Sequence, residues 1–273
     1  MRRDRAARSF EDHAFLIDYI ADELVDRLDL VNRDFCSVLI LGAHDGRLAA
    51  RFARPDREIV SADPGFAFAR TSRGVQCDED RLPFADGSFD LVISVAMLDS
   101  VNDLPGALTL IRRALRPDGL LLGGFVGAGS LSRLKSALLA ADCAVRQGAV
   151  ARIHPQIDVR AAGDLLVRAG FALAVADSQR LDIGYGDPVR LMHDLRGMAA
   201  TNILADRARG SPGGRWLEEI FHNCQGSSAG DGRFRETFEM VFLSGWSPGP
   251  GQPAPAKRGS ATMSLGQALR AKR

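Results

Sequence analysis

The chain has 273 residues, 46% of them apolar, and a formal charge of +1. That length and apolar fraction suffice for one large core. The near-neutral balance excludes the basic excess of a nucleic-acid binder, and no apolar run approaches a membrane span. Cys36, Cys77, Cys143 and Cys224 are scattered, as are the five histidines, so neither a disulfide framework nor a metal site is expected. The basic start, Met1 to Arg8, is followed by no apolar stretch of the secretory kind, and a cytoplasmic protein is expected.

In chain order, residues 1–36 form a helical lead-in, with Leu16 to Leu30 apolar at helical spacing. A core domain is expected over 37–246. Ser37 to Leu41 reads as a buried first strand ending in a glycine turn, and Arg47 to Ala53 as a helix. Glu58 to Ala62 is a second strand ending at Asp63, and Gly74 to Cys77 a third ending at Asp78. Phe89 to Val95 is a fourth strand and Leu120 to Val126 a fifth, with a helix from Pro105 to Leu115 between them. No element is assigned between Val126 and Val159. Val159 to Ala169 is a helix closed by Gly170, and Phe171 to Ala176 a sixth strand. Pro188 to Met198 and Arg215 to Phe221 are helices, and Glu236 to Trp246 is the last strand. Residues 247–273 form an irregular tail, rich in Pro and Gly as far as Pro255. Strands alternating with helices predict an α/β fold, a doubly wound and mostly parallel seven-stranded sheet with helical additions in its second half.

Ligands of such sheets bind at the carboxyl ends of the strands, near the switch in strand order. That gathers Gly42, Ala43, His44 and Gly46 with Asp63, Pro64, Asp78, Glu79, Ser94 and Val95 around one crevice. Gly46 lets a helix N-terminus approach a ligand, although the loop lacks one glycine of the usual nucleotide pattern. Asp63 stands roughly 20 residues past Gly42, the spacing of an acid that accepts from both ribose hydroxyls; the alternative is a solvated turn aspartate. Asp78 suits an adenine amino group, or else belongs to an acidic turn with Glu79 and Asp80.

Arg81-Leu-Pro-Phe84, Asp86-Gly-Ser-Phe-Asp90 and Leu115-Arg-Pro-Asp-Gly119 resemble the class I S-adenosylmethionine-dependent methyltransferases of the type 11 kind. Within them, Leu98-Asp-Ser-Val-Asn-Asp-Leu-Pro105, the run from Asp187 to Met198 followed by Thr201 and Asn202, Phe242 to Trp246, and Ala256 to Leu265 are most similar to the assembly factors of respiratory complex I. Biotin-pathway carboxyl methyltransferases share fewer of these segments. The resemblance implies S-adenosylmethionine as cofactor and a protein substrate, a complex I subunit, modified by methyl transfer or arginine hydroxylation. It also marks departures: Ile40 stands where the family has an acid, His44 where it has a glycine, Asp99-Ser100 for His-Trp, and Gly129 for another acid. Two alternatives follow: a non-catalytic scaffold that keeps the fold, and a small-molecule methyltransferase. No catalytic residue is assigned. Tyr185, Asp187, His193 and Arg196 are candidates for the substrate side.

Overall fold

The computed structural model describes residues 2–146, 148–208, 213–225 and 232–253, with isolated positions beyond 258. Most of the Ala256–Leu265 segment therefore lies outside the described residues. Seven strands form a single sheet: β1 (Ser37–Leu41), β2 (Glu58–Asp63), β3 (Val75–Gln76), β4 (Phe89–Val95), β5 (Leu115–Val126), β6 (Ala172–Tyr185) and β7 (Phe234–Trp246). Their order is β3-β2-β1-β4-β5-β7-β6. Neighbours from β3 through β5 pair in parallel, while β7 is antiparallel to both β5 and β6. The expected doubly wound fold is present, and its order reverses between β1 and β4, where the crevice was placed.

Alternation along the strands builds two cores, because successive side chains point to opposite faces. Val38, Ile40, Leu91, Ile93, Leu120 and Leu122 face α2 (Phe15–Asp29) and α6 (Ser132–Arg146). Leu39, Leu41, Val92 and Leu121 face α5 (Leu104–Ala114) and α7 (Val159–Arg168). All seven residues of β4 are buried, as expected of a strand covered on both faces. Ile40 is fully buried in the first of these cores, so an isoleucine rather than an acid suits the position as the chain folds.

The helices start and stop where local chemistry dictates. Asp103, Asp158 and Asp187 accept from Gly106, Ala161 and Arg190 backbone N–H groups at 2.9, 2.8 and 2.9 Å, capping α5, α7 and α8 (Pro188–Gly197). Gly170 closes α7 with φ +86°, the left-handed conformation expected of it.

Three departures bear on the site. A short helix, α1 (Arg2–Ala6), precedes a 3-10 turn at Glu11–His13, and α6 fills the interval without an expected element. Strand β6 runs to Tyr185 rather than Ala176 and pairs with β7 along that length. Its charges are compatible with an edge strand: Asp177 takes both guanidinium nitrogens of Arg27 at 2.6 Å.

Candidate active site

The β1 turn is fixed by its own backbone. Gly42 has φ +73°, and a β-carbon there would collide with the Met97 side chain and the Val95 carbonyl. Gly42 and Ala43 donate to the Ala62 carbonyl at 3.0 and 3.2 Å, which ties the turn to the end of β2. Gly46, φ +84°, opens α3 (Arg47–Phe52).

Asp63, at the tip of β2, is only 1% exposed, and the protein itself occupies its oxygens. Arg3 of α1 donates from Nε to Oδ1 at 2.8 Å and from Nη2 to Oδ2 at 2.5 Å. Gly65 N–H donates to Oδ1 at 2.7 Å, and His44 N–H to Oδ2 at 3.3 Å. A bidentate guanidinium matches two carboxylate oxygens as closely as a ribose diol would. Arg3 thus stands where the sequence places the sugar.

His44 completes the closure. Its ring is buried, stacked on Phe10 with centroids 4.8 Å apart and set edge-on to Phe68 at 5.4 Å. Nε2 lies 3.3 Å from the Val95 carbonyl, which only accepts, and Nδ1 lies 3.1 Å from Arg3 Nη2, which only donates. Both contacts are satisfied by a neutral imidazole protonated on Nε2. Burial, then the neighbouring Arg3 charge, push its pKa well below the usual histidine value. The group is a packed, neutral wedge.

The remaining expected contacts divide. Ser94 and Val95 are buried at the end of β4, and Ser94 Oγ lacks a hydrogen-bond partner among the described residues. Pro64 adjoins Asp63, its carbonyl accepting from Gln76 Nε2 at 3.1 Å. Asp78 is exposed, whereas Glu79 is buried and pushed up to about 7, chiefly by burial. The buried acid of this turn is therefore Glu79. The sequence could not rank two adjacent carboxylates whose side chains leave the turn in different directions.

The turn itself borders a hollow of about 430 Å³, lined by Phe10, Gly42, Ala43, His44 and Val95, and beyond Arg3 lies a cavity of about 250 Å³, between the ends of β4 and β5 and helices α2, α6 and α8. Leu16, Leu134, Leu138, Met192 and Trp216 of α9 (Gly214–Gln225) contribute an apolar wall, and Arg2, Asp99 and His154 are among its polar groups. Asp99 Oδ1 and both ring nitrogens of His154 are buried without a hydrogen-bond partner among the described residues. Burial raises the Asp99 pKa and lowers that of His154, each opposed by the charge of the other. Buried polar atoms normally find partners, and leaving one unpaired costs roughly 1–3 kcal/mol. Such atoms facing a cavity mark a place for a ligand group. Asp99 stands out in the sequence as a departure from the family; His154, Arg2 and Arg3 carry no local signal.

The other substrate-side candidates also separate. Arg196 lines the cavity, His193 lies on the adjoining surface, Asp187 is a helix cap, and Tyr185 is buried in the core. At the lost acid, Gly129 N–H donates to Glu239 Oε2 at 2.8 Å, so a carboxylate from β7 serves the loop. Among the described residues no group of three or more His, Cys, Asp or Glu side chains could hold a metal ion, and no helix is long and apolar enough to cross a membrane.

Strand order, glycine turn and acid-tipped β2 define a class I methyltransferase fold. A methyltransferase-domain family model matches residues 39–123. The YcgJ protein of Bacillus subtilis superposes with a TM-score of 0.57 at 17% identity, covering 82% of this chain and 97% of its own. The mitochondrial arginine-hydroxylase NDUFAF5 of Danio rerio is 31% identical over 92% of this chain and 81% of its own length. The chain belongs to the NDUFAF5-like family of methyltransferase-fold proteins. The malonyl-[acyl-carrier protein] O-methyltransferase of Laribacter hongkongensis is also 31% identical, over 90% of this chain and 87% of its own length.

Proposed function

We propose that this chain is a cytoplasmic S-adenosylmethionine-using protein of the complex I assembly type, which modifies a side chain of a protein substrate. The observation that carries the reading is the cavity beside the crevice, where Asp99 and His154 present unpartnered buried atoms among apolar side chains. A side chain with a polar head and an apolar stem fits those walls.

Asp63 would hold the cofactor's ribose, and the turn from Gly42 to Gly46 its methionine side, once Arg3 withdraws. Ser94 Oγ supplies a further buried hydroxyl in that crevice. When bound, the sulfonium makes its methyl group electrophilic, so transfer needs mainly alignment and a deprotonated acceptor. Asp99 and His154 would orient the acceptor head and take its proton: burial favours a neutral His154, whose ring then has a free lone pair. The apolar wall excludes water from that head.

A second reading, the non-catalytic scaffold, is favoured by the Arg3–Asp63 pair, which occupies both oxygens of Asp63 while α1 stays in place. Mass spectrometry of a co-expressed complex I subunit, with wild type and His154→Ala, separates the two. Gain of one methylene group or one oxygen with wild type, lost in the variant, supports the enzyme. An unchanged subunit mass in cells whose complex I still depends on the protein supports the scaffold.

A further inference from the structure

The cavity of Asp99 and His154 adjoins a surface groove of about 530 Å³ with an unusual charge. Arg2, Arg196, Thr201 and Asn202 line both. Around the groove stand Arg2, Arg5, His13, His193, Arg196 and Arg207, and among the described residues its lining includes no Asp or Glu. In a chain whose formal charge is only +1, four arginines on one concave surface are a local concentration. They come from three separate parts of the sequence, α1, α8 and the segment after Thr201, so the fold gathers them.

Among the described residues, Arg5, Arg196 and Arg207 make no ion pair. Arg5, Arg196 and Arg207 are exposed, and Arg207 donates to the Leu204 carbonyl at 2.8 Å, which does not neutralise it. Arg2 donates to the Thr201 carbonyl at 2.8 Å and is lowered to about 10, first by burial and then by the adjacent Arg3 charge. The carboxylate of Asp194 sits beneath, accepting from His13 Nδ1 at 2.7 Å. Cationic walls of this kind recognise carboxylates or phosphates.

We infer that this groove receives an acidic segment of the protein substrate, whose carboxylates flank the residue inserted beside Asp99 and His154. This rests on the protein-substrate reading above. A side chain entering the cavity must leave its backbone outside, and the shared wall places that backbone against the arginines. Peptide carboxylates meet the guanidinium groups, while Asn202, whose side chain donates to the Ala151 carbonyl at 2.7 Å and accepts from Leu204 N–H at 3.0 Å, holds the wall of the groove in place. The groove then sets which flanking sequence is accepted, and the cavity sets which side chain.

The test is fluorescence anisotropy with the full chain and three labelled Gly-Ser decapeptides, one carrying glutamates, one lysines and one neither. The glutamate peptide should bind at least about tenfold more tightly than either other, weakening as salt is raised. Arg5→Glu and Arg207→Glu lie on different elements, so a folding defect in one does not spoil the other. Each should weaken the glutamate peptide about tenfold, and Arg5→Lys and Arg207→Lys, which keep the charge but not the planar fork, should weaken it less. Equal binding of the three peptides, or indifference to both charge reversals, would overturn the inference. So would tighter binding of a single-stranded RNA oligomer with the same dependence on Arg5 and Arg207. Calorimetry with S-adenosylhomocysteine on the same samples keeps the two readings apart. Charge-selective peptide capture without nucleotide binding would end the enzyme reading and leave the groove standing, and the converse would remove the groove alone.

Discussion

Two hollows share the carboxyl ends of the strands, and they are finished in opposite ways. At the cleft of the glycine turn, Asp63 has four donors within hydrogen-bond distance, all from the chain itself, and His44 stacks on Phe10. In the neighbouring cavity, Asp99 and His154 carry buried atoms with no partner among the described residues. The first arrangement holds the closed form together; the second tolerates a cost that stability alone gives no reason to keep. Activity, on this account, requires the first hollow to be opened and the second to be filled.

The sharpest way to break the comparison is Asp63→Ala. It leaves the Arg3 guanidinium buried without its counter-ion, and loss of one partner of a buried pair costs about 3–5 kcal/mol. Urea unfolding should show a loss of that size. Ile40→Asp should come next, at roughly 3 kcal/mol, because it places a carboxylate in a fully apolar wall. The family's acid, restored there, should therefore fail to tighten nucleotide binding.

Glu79 adds a pH signature. Its folded pKa, about 7, lies above the ordinary 4.5, so the native state holds the proton more tightly than the unfolded one. Its contribution is complete below about pH 4.5 and is lost as pH rises through 7, on the order of 1–3 kcal/mol. Glu79→Gln should flatten stability across that window, measured by thermal melts against pH. The smallest effect has the opposite sign. His154→Leu removes two unpartnered nitrogens from an apolar wall and should leave stability unchanged or raise it by about 1 kcal/mol, while substrate modification disappears. A large destabilisation would mean that His154 is an ordinary core residue.

The parts legible in the sequence are those governed by local pattern. The first, fourth and fifth strands are runs of buried apolar residues, and the glycine turn and Asp103 cap announce themselves by residue type. Strand β6 was legible only to Ala176, because beyond it an edge strand alternates charged residues that resemble a loop. Helix α6 is the element that sequence pattern alone did not reveal, although Leu134, Ala137, Leu138 and Ala141 repeat at helical spacing. The site divides in the same way. Asp63 is marked by its distance from Gly42, but Arg3 reaches it across 60 residues, and His154 meets the cavity from an irregular segment. Nothing in a local window carries such pairings, which arise only when the chain is closed into three dimensions.

The most direct measurement is a calorimetric titration of wild type and Arg3→Ala with S-adenosylhomocysteine. If α1 holds the cofactor cleft shut, wild type should bind weakly, between about 10 μM and 1 mM, and Arg3→Ala about tenfold more tightly, since the nucleotide no longer competes for Asp63. Weaker binding by the variant, or no binding by either protein, would contradict the account.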